Sequence, residues 1–209
     1  MKIILVDDHT YVREGIKKII VENFPLVEVT DISDGETLLK KLIKEDFDLI
    51  LLDITMAGMS GLDALKRLKE LKPGIPVLTL TMHPPEQYAI RAFQAGASGY
   101  LTKDSPPDEL VKAINQLRSG YKYITPQVAE LLAQNIGIDH QKAPHESLSN
   151  RELDILRLLS EGKSISEIGT QLNISINTVS TFKSRILEKM NMRNIAELIK
   201  YVIEHKIFG

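Results

Sequence analysis

Five short apolar runs recur at even spacing along the first 124 residues, and this pattern constrains the fold more than any other feature. Each run has four to six residues, the length of a strand rather than a helix. The runs cover residues 3–6, 27–32, 49–52, 77–80 and 98–101. Nearly continuous apolar sequence is typical of strands buried on both faces of a parallel sheet. Amphipathic helical patterns separate the runs, so we predict a doubly wound, parallel, five-stranded α/β sheet.

Polar side chains follow four of these predicted strands. Asp7 and Asp8 come after the first strand, Asp53 ends the third, Thr81 ends the fourth, and Lys103 follows the fifth. Functional sites of parallel α/β sheets lie at the carboxyl ends of the strands, so we expect these side chains to lie close together at that edge. Three carboxylates brought together repel, and oxygen ligands of this kind suit Mg²⁺, which joins carboxylates to phosphate. With a lysine to offset phosphoryl charge, the pattern indicates a phosphorylatable aspartate.

Five motifs in this segment match a known family. They are LVDDH at 5–9, LLDITM at 51–56, LTMH at 80–83, AGASGYL at 95–101 and the lysine at 103. Through them, residues 1–124 resemble the receiver domain of response regulators, whose sheet has the flavodoxin-like strand order. The resemblance implies that Asp53 accepts a phosphoryl group from a sensor histidine kinase or a small acyl phosphate. It also implies that the chain promotes only its own phosphorylation and dephosphorylation, and is not an enzyme for an external substrate.

The resemblance assigns a role to each polar group at this edge. Asp8, Asp53 and the backbone carbonyl of Thr55 would hold Mg²⁺, and Asp7 would act largely through water. Lys103 would pair with the phosphoryl oxygens.

Two further residues complete the implied switch. Thr81 would move to hydrogen-bond the phosphoryl group, and Tyr100, three residues before Lys103, would rotate inward behind it. The chain departs from the family at Ala57, where proline is usual, and we expect a looser loop there without loss of a chemical group. The alternative is a phosphohydrolase of the aspartyl-phosphate class. Such enzymes typically carry a second carboxylate two residues after the nucleophile, where this chain has Thr55.

Residues 125–147 are predicted to connect two domains. Thr125-Pro126 is a helix start signal, and Val128, Leu131, Leu132 and Ile136 then form a short amphipathic stripe. Residues 137–147 show no periodicity and read as a flexible linker. We assign no ligand role to the linker histidines, His140 and His145.

Residues 148–209 read as a small all-α domain of four helices. Ser149 with Glu152 forms a capping box for the first of them. The third helix, starting after Ser175, has a predicted buried stripe of Ile176, Val179, Phe182, Ile186 and Met190. Between Asn177 and Arg193 the sequence has four basic residues and one acidic residue. Such a helix suits the major groove of DNA, although a purely structural or dimerising bundle is an alternative.

A second set of motifs strengthens the DNA-binding interpretation. They are LSNRE at 148–152, EGKSISEI at 161–168, LNIS at 172–175, TVSTF at 178–182 and ILEKM at 186–190. Residues 148–209 thereby resemble the LuxR-type helix-turn-helix domain, and the whole chain resembles a NarL/FixJ-type two-component response regulator. Gly169, Ser180 and Phe182 depart from the usual alanine, lysine and histidine. The DNA-contacting residues implied are Asn177, Thr178, Ser180, Thr181, Lys183, Ser184, Arg185 and Lys189.

The leading hypothesis is a transcription factor that is gated by phosphorylation. It would form a homodimer when phosphorylated and read two half-sites of promoter DNA, with RNA polymerase as a further candidate partner. Tyr88 and Ala92 of the fourth receiver helix are candidates for an exposed dimer surface, as are the first and fifth helices. The alternative is a DNA binder that associates constitutively.

Composition agrees with a protein of this kind. Residues 148–209 carry nine Lys/Arg against seven Asp/Glu, a charge of +2, which leaves −4 on the other residues of a chain whose net charge is −2. The basic part alone therefore suits a polyanion. No apolar run is long enough to span a membrane, there is no cysteine, and the N-terminus becomes acidic too early for a signal peptide. We expect a cytoplasmic protein without a membrane partner.

Overall fold

The computed structural model describes residues 1–135 and 143–208. The chain divides into two compact units, Met1–Ile136 and Gly137–Gly209. The first unit contains, in order, β1 (Lys2–Val6), α1 (Thr10–Asn23), β2 (Glu28–Ile32), α2 (Gly35–Lys44), β3 (Leu49–Asp53), α3 (Gly61–Leu71), β4 (Val77–Thr81), α4 (Pro85–Gln94), β5 (Gly99–Thr102), α5 (Pro107–Arg118) and α6 (Pro126–Gln134). Among the described residues, no helix is long and apolar enough to cross a membrane.

The five strands form one parallel sheet in the order β2-β1-β3-β4-β5, which confirms the predicted doubly wound fold. The central strands β3 and β4 are fully buried, as their continuous apolar sequence predicts. The expectation of burial on both faces is wrong for β2, whose residues are only partly buried because it lies at the sheet edge. At the other edge, the Tyr123 amide donates to the Ser98 carbonyl at 2.9 Å and Tyr123 pairs with Gly99.

Helix α4 packs against α6, which follows the last strand of the first unit. Gln127 Nε2 in α6 donates to Glu86 Oε1 in α4 at 2.7 Å. The expectation that Tyr88 and Ala92 form an exposed dimer surface is wrong, because these α4 side chains are 1% and 0% exposed. The Tyr88 ring instead lies 5.2 Å from the ring of His83. The predicted Ile136 and His140, and the linker as far as residue 142, lie outside the described residues.

The second unit contains a short 3-10 helix (Pro144–Ser147) followed by α7 (Asn150–Ser160), α8 (Ile165–Gln171), α9 (Ile176–Lys189) and α10 (Ile195–Glu204). The capping box predicted at Ser149 and Glu152 is confirmed at the start of α7. Asn173 turns the chain between α8 and α9 with φ of 51°, a left-handed conformation that asparagine tolerates better than most residues. His145 Nδ1 lies 3.0 Å from the Tyr201 hydroxyl.

Candidate functional site

Parallel register brings the ends of several strands together at one edge of the first unit. Asp53 at the end of β3 pairs with Leu80 of β4, and Asp7 directly follows β1, the other neighbour of β3. Lys103 follows β5, and its Nζ lies 2.7 Å from Asp53 Oδ2 and 2.7 Å from Asp7 Oδ2. All three side chains are almost completely buried. The structure thus places two buried carboxylates on one buried ammonium group.

Burial is the largest influence on the pKa values of Asp53 and Lys103. It raises the pKa of Asp53 to about 6, against the opposing attraction of Lys103. Burial acts to lower the pKa of Lys103, but the charge and hydrogen bonds of Asp53 and Asp7 outweigh it and raise that pKa. A divalent cation close to Asp53 would stabilise its ionised form further, since opposite charge favours ionisation.

The donor atoms around Asp53 fit a hard divalent cation. One ligand atom from each of Asp7, Asp8, His9 and Asp53 lies within 4.8 Å of the others. Asp8 Oδ1 is buried, meets no hydrogen-bond criterion in the described part of the chain, and lies 2.8 Å from His9 Nδ1. A buried carboxylate is costly unless a positive group compensates its charge, and a metal ion would do so. Thr55 lies beside this group, where its amide donates to Asp53 Oδ1 at 3.0 Å.

The alanine that replaces the usual proline adds a contact to this cluster. The Ala57 amide donates to Asp8 Oδ2 at 2.9 Å. Proline has no amide hydrogen and could not make this bond. The departure that suggested a looser loop therefore supplies a hydrogen bond that holds one oxygen of Asp8.

The two predicted switch residues both hydrogen-bond the backbone of His83. Thr81 is fully buried, and its Oγ1 accepts a hydrogen bond from the His83 amide at 3.2 Å. The Tyr100 ring is buried, and its hydroxyl donates to the His83 carbonyl at 3.0 Å. Burial raises the pKa of Tyr100, so the phenol stays a hydrogen-bond donor. Tyr100 is already directed inward in this structure.

Gly61 was not singled out in the sequence, although the site depends on it. Its amide donates to the Ile54 carbonyl at 2.8 Å. A Cβ atom at this position would lie 1.9 Å from the backbone oxygen of Asp53. The start of α3 therefore lies so close to the Asp53 backbone that only glycine fits at position 61. The sequence feature that could have indicated this close approach is the pair Ser60-Gly61 at the start of a predicted helix.

Arg13 in the first turn of α1 is a second residue that the sequence pattern missed. Its Nη1 donates to the Asp7 carbonyl at 2.6 Å, and its side chain is 13% exposed. Its Nε lies 3.8 Å from Asp31 Oδ2 at the end of β2, and Lys17 Nζ lies 2.6 Å from Asp31 Oδ1. Arg13 thus ties the turn that carries Asp7 and Asp8 to the edge strand.

Helix α9 of the second unit carries the predicted DNA-contacting residues. Ser175 caps the helix by accepting from the Thr178 amide. Val179, Ile186 and Met190 are buried as predicted, but Ile176 is 55% exposed because it lies in the first turn of α9, at the edge of the packed face. Thr178, Ser180 and Lys183 are half-buried, and the exposed members of the predicted set are Asn177, Thr181, Ser184, Arg185 and Lys189.

Some of these α9 side chains already have partners. Thr181 Oγ1 donates to the Asn177 carbonyl at 2.9 Å, and Ser184 Oγ donates to the Ser180 carbonyl at 3.1 Å. Lys189 Nζ lies 2.6 Å from Glu152 Oε2. Lys189 therefore stabilises the packing of α9 on α7, a role that its sequence position did not predict.

Comparison with known proteins identifies the family. The family model of the response regulator receiver domain matches residues 3–115, and that of the bacterial regulatory proteins of the luxR family matches residues 146–202. The chain is also 34% identical over 206 residues to the response regulator UvrY of Escherichia coli K12, covering 98% of this chain and 94% of UvrY. The chain belongs to the LuxR-type response regulators.

Further relatives of this response regulator match along the whole chain. The oxygen regulatory protein NreC of Staphylococcus carnosus is 33% identical over 214 residues, covering 99% of each chain. A structure of RcsB from Salmonella enterica serovar Typhimurium, bound to the promoter rprA with the phosphomimetic BeF3-, has a TM-score of 0.62 at 28% identity. It covers 97% of this chain and 98% of RcsB. The function of the response regulator is phosphorylation-controlled regulation of transcription.

Proposed function

We propose that Asp53 is the phosphoacceptor of this response regulator and that its phosphorylation controls binding to promoter DNA. The observation that carries the proposal is the buried contact between Asp53 and Lys103, at 2.7 Å, in a cluster whose ligand atoms from Asp7, Asp8 and Asp53 lie within 4.8 Å of one another. We assign the receiver domain to residues 1–124, the connecting helix and linker to 125–147, and the DNA-binding domain to 148–209. A sensor histidine kinase is the proposed phosphoryl donor.

The chemistry is an in-line displacement in which the Asp53 carboxylate attacks the phosphorus of the donor. A bond forms between an Asp53 oxygen and phosphorus, and the bond from phosphorus to the donor breaks. Mg²⁺, when bound, offsets negative charge on the transferring oxygens. Asp8, Asp53 and the Thr55 carbonyl would hold this ion, with Asp7 acting through water.

Lys103 and Thr81 serve the phosphorylated state in this proposal. Once Asp53 carries a phosphoryl group, the Lys103 ammonium pairs with the phosphoryl oxygens. The Thr81 hydroxyl, which now accepts from His83, turns to donate to one of these oxygens. Tyr100 keeps its inward position because its hydroxyl bonds the His83 carbonyl. Loss of the phosphoryl group to water returns the site to its starting state, without an external substrate.

Helix α9 is the proposed DNA-recognition helix. Its predicted DNA-contacting set combines small polar side chains near the N-terminus with the half-buried Lys183 and the exposed Arg185 farther along. In such an arrangement small residues approach base edges and basic residues contact phosphates. The structure of RcsB bound to promoter DNA supports DNA binding by this chain. The proposed contacts are Asn177, Thr178, Ser180, Thr181, Lys183, Ser184, Arg185 and Lys189, the last after release from Glu152.

Lys183→Ala is expected to weaken binding to most duplex sequences and to reduce the salt slope by about 1, since it removes one phosphate contact. Fluorescence anisotropy with duplex DNA, repeated over a range of KCl concentrations, measures both quantities. Lys200→Ala on α10 is the matched control, because it removes the same charge from an exposed lysine that pairs with Glu204. Equal salt slopes for the two variants would contradict the placement of α9 on DNA.

Phosphorylation is further proposed to favour a homodimer, in which two copies of α9 read half-sites related by a two-fold axis. RNA polymerase is a further proposed partner at the promoter. The constitutive DNA binder is the competing account, and it predicts an assembly state that does not depend on Asp53.

A further inference from the structure

His9 occupies the N-cap of α1 without capping the helix. Its side chain makes no hydrogen bond to the first-turn amides, although Ser, Thr, Asp and Asn are preferred at such positions because they do so. The ring is directed toward the carboxylates instead. Nδ1 lies 2.8 Å from Asp8 Oδ1 and 3.3 Å from Asp7 Oδ1. The side chain is 63% exposed, so burial does not force this orientation.

His9 contacts the oxygen of Asp8 that the backbone leaves open. Asp8 Oδ1 meets no criterion for a hydrogen bond in the described residues, and its contact there is His9 Nδ1 at 2.8 Å. Asp8 Oδ2 is already engaged by the Ala57 amide. The oxygen of Asp8 that remains for a ligand is therefore the one beside the imidazole nitrogen.

This spacing is that of two neighbouring ligands on one metal ion. Two donors that each lie about 2.1 Å from an ion, at a right angle to each other, are about 3 Å apart. The His9 nitrogen and the Asp8 oxygen meet this condition at 2.8 Å. The ligand atoms of Asp7 and Asp53 complete the group within 4.8 Å.

We propose that His9 is a nitrogen ligand of the ion at Asp8 and Asp53, and that it makes the site accept borderline divalent ions such as Co²⁺ and Zn²⁺ as well as Mg²⁺. Imidazole favours transition metals, whereas Mg²⁺ prefers oxygen ligands and retains its water. His9 therefore contributes to the affinity for Co²⁺ and Zn²⁺ and little to that for Mg²⁺. The inference rests on the proposed function, which makes these carboxylates a metal site.

The competing explanation is an ion pair between a protonated His9 and the two aspartates. A positive charge at His9 would oppose every divalent ion to the same degree. Removal of the imidazole would then strengthen the binding of Mg²⁺ and Co²⁺ alike. Ligation and ion pairing thus predict opposite effects on Co²⁺ affinity.

The test is isothermal titration of the full-length protein, without an affinity tag, with MgCl₂ and separately with CoCl₂. We expect His9→Gln to raise the Kd for Co²⁺ by about tenfold or more, the loss typical of disturbing even an outer-shell metal contact, and to leave the Kd for Mg²⁺ nearly unchanged. His205→Gln, at the C-terminal end of α10, controls for other histidine sites. Asp8→Asn should weaken both ions, and far-ultraviolet circular dichroism checks that each variant is folded.

Direct ligation also has a spectroscopic signature. In wild-type protein with Co²⁺, one imidazole N–H resonance should be shifted strongly by the paramagnetic ion, and the shift should disappear in His9→Gln. Unchanged or tighter Co²⁺ binding in His9→Gln, or equal losses for both ions, overturns the role of His9. Failure of the wild-type protein to bind Mg²⁺ overturns the proposed metal site itself, which is a different result.

Discussion

Asp53→Asn is expected to abolish phosphoryl labelling of the protein and to leave its fold intact. The variant keeps the size of the side chain but replaces the nucleophilic carboxylate with a neutral amide, whose single oxygen can still accept from the Thr55 amide. Lys103 retains Asp7 as a partner at 2.7 Å, so no buried charge is left alone. Acetyl phosphate carrying a radiolabelled phosphoryl group, with Mg²⁺, supplies the donor, and the label per chain that hydroxylamine releases, as expected of an aspartyl phosphate, is the measured quantity.

The matched control for this experiment is Asp46→Asn. Asp46 is an exposed carboxylate whose only described ion pair is with Lys72, and its replacement should leave labelling at the wild-type level. Full labelling of Asp53→Asn would show that another group accepts the phosphoryl, and peptide mapping would locate it. Loss of label in both variants would point to a general effect of charge instead.

Gly61→Ala is expected to destabilise the first unit by about 3 kcal/mol or more, the upper end of the cost of overpacking a core. The added methyl group would lie 1.9 Å from the Asp53 carbonyl oxygen. This clash can be relieved only if the end of β3 or the start of α3 moves. Labelling should fall as well, because the Asp53 backbone is displaced. The midpoint of urea unfolding measures the loss of stability.

Gly15→Ala provides the matched comparison. Gly15 lies within α1, and a Cβ atom there has no neighbour within 4 Å. This variant should gain about 0.5–1 kcal/mol, because alanine loses less conformational freedom in a helix than glycine does. If Gly61→Ala were as stable as Gly15→Ala, the close approach of α3 to Asp53 would be wrong.

Much of the fold was predictable because it follows from hydrophobic periodicity. Apolar runs of strand length marked all five strands, and parallel topology then required that Asp7, Asp53 and Lys103 meet at one edge. The same pattern overestimated only the burial of β2, since periodicity does not reveal that a strand lies at the sheet edge.

The unpredicted features depend on three-dimensional approach. Gly61 is required because a Cβ atom there would lie 1.9 Å from the backbone oxygen of Asp53. Arg13 contributes through a hydrogen bond to the backbone carbonyl of Asp7, six residues earlier. Neither distance is encoded in a local motif. Lys189 occupies the same position at the end of α9 whether it contacts DNA or Glu152, and only the packing of α7 on α9 decides that it pairs with Glu152.

Control of assembly by Asp53 is tested by the molar mass in solution, measured by light scattering first with Mg²⁺ alone and then with Mg²⁺ and beryllofluoride, a mimic of the phosphoryl group. We expect a monomer of 23.5 kDa that doubles its mass when beryllofluoride is added, and an Asp53→Asn variant that does not respond. A mass that is the same in both conditions would contradict control of assembly by Asp53 and would favour the constitutive DNA binder.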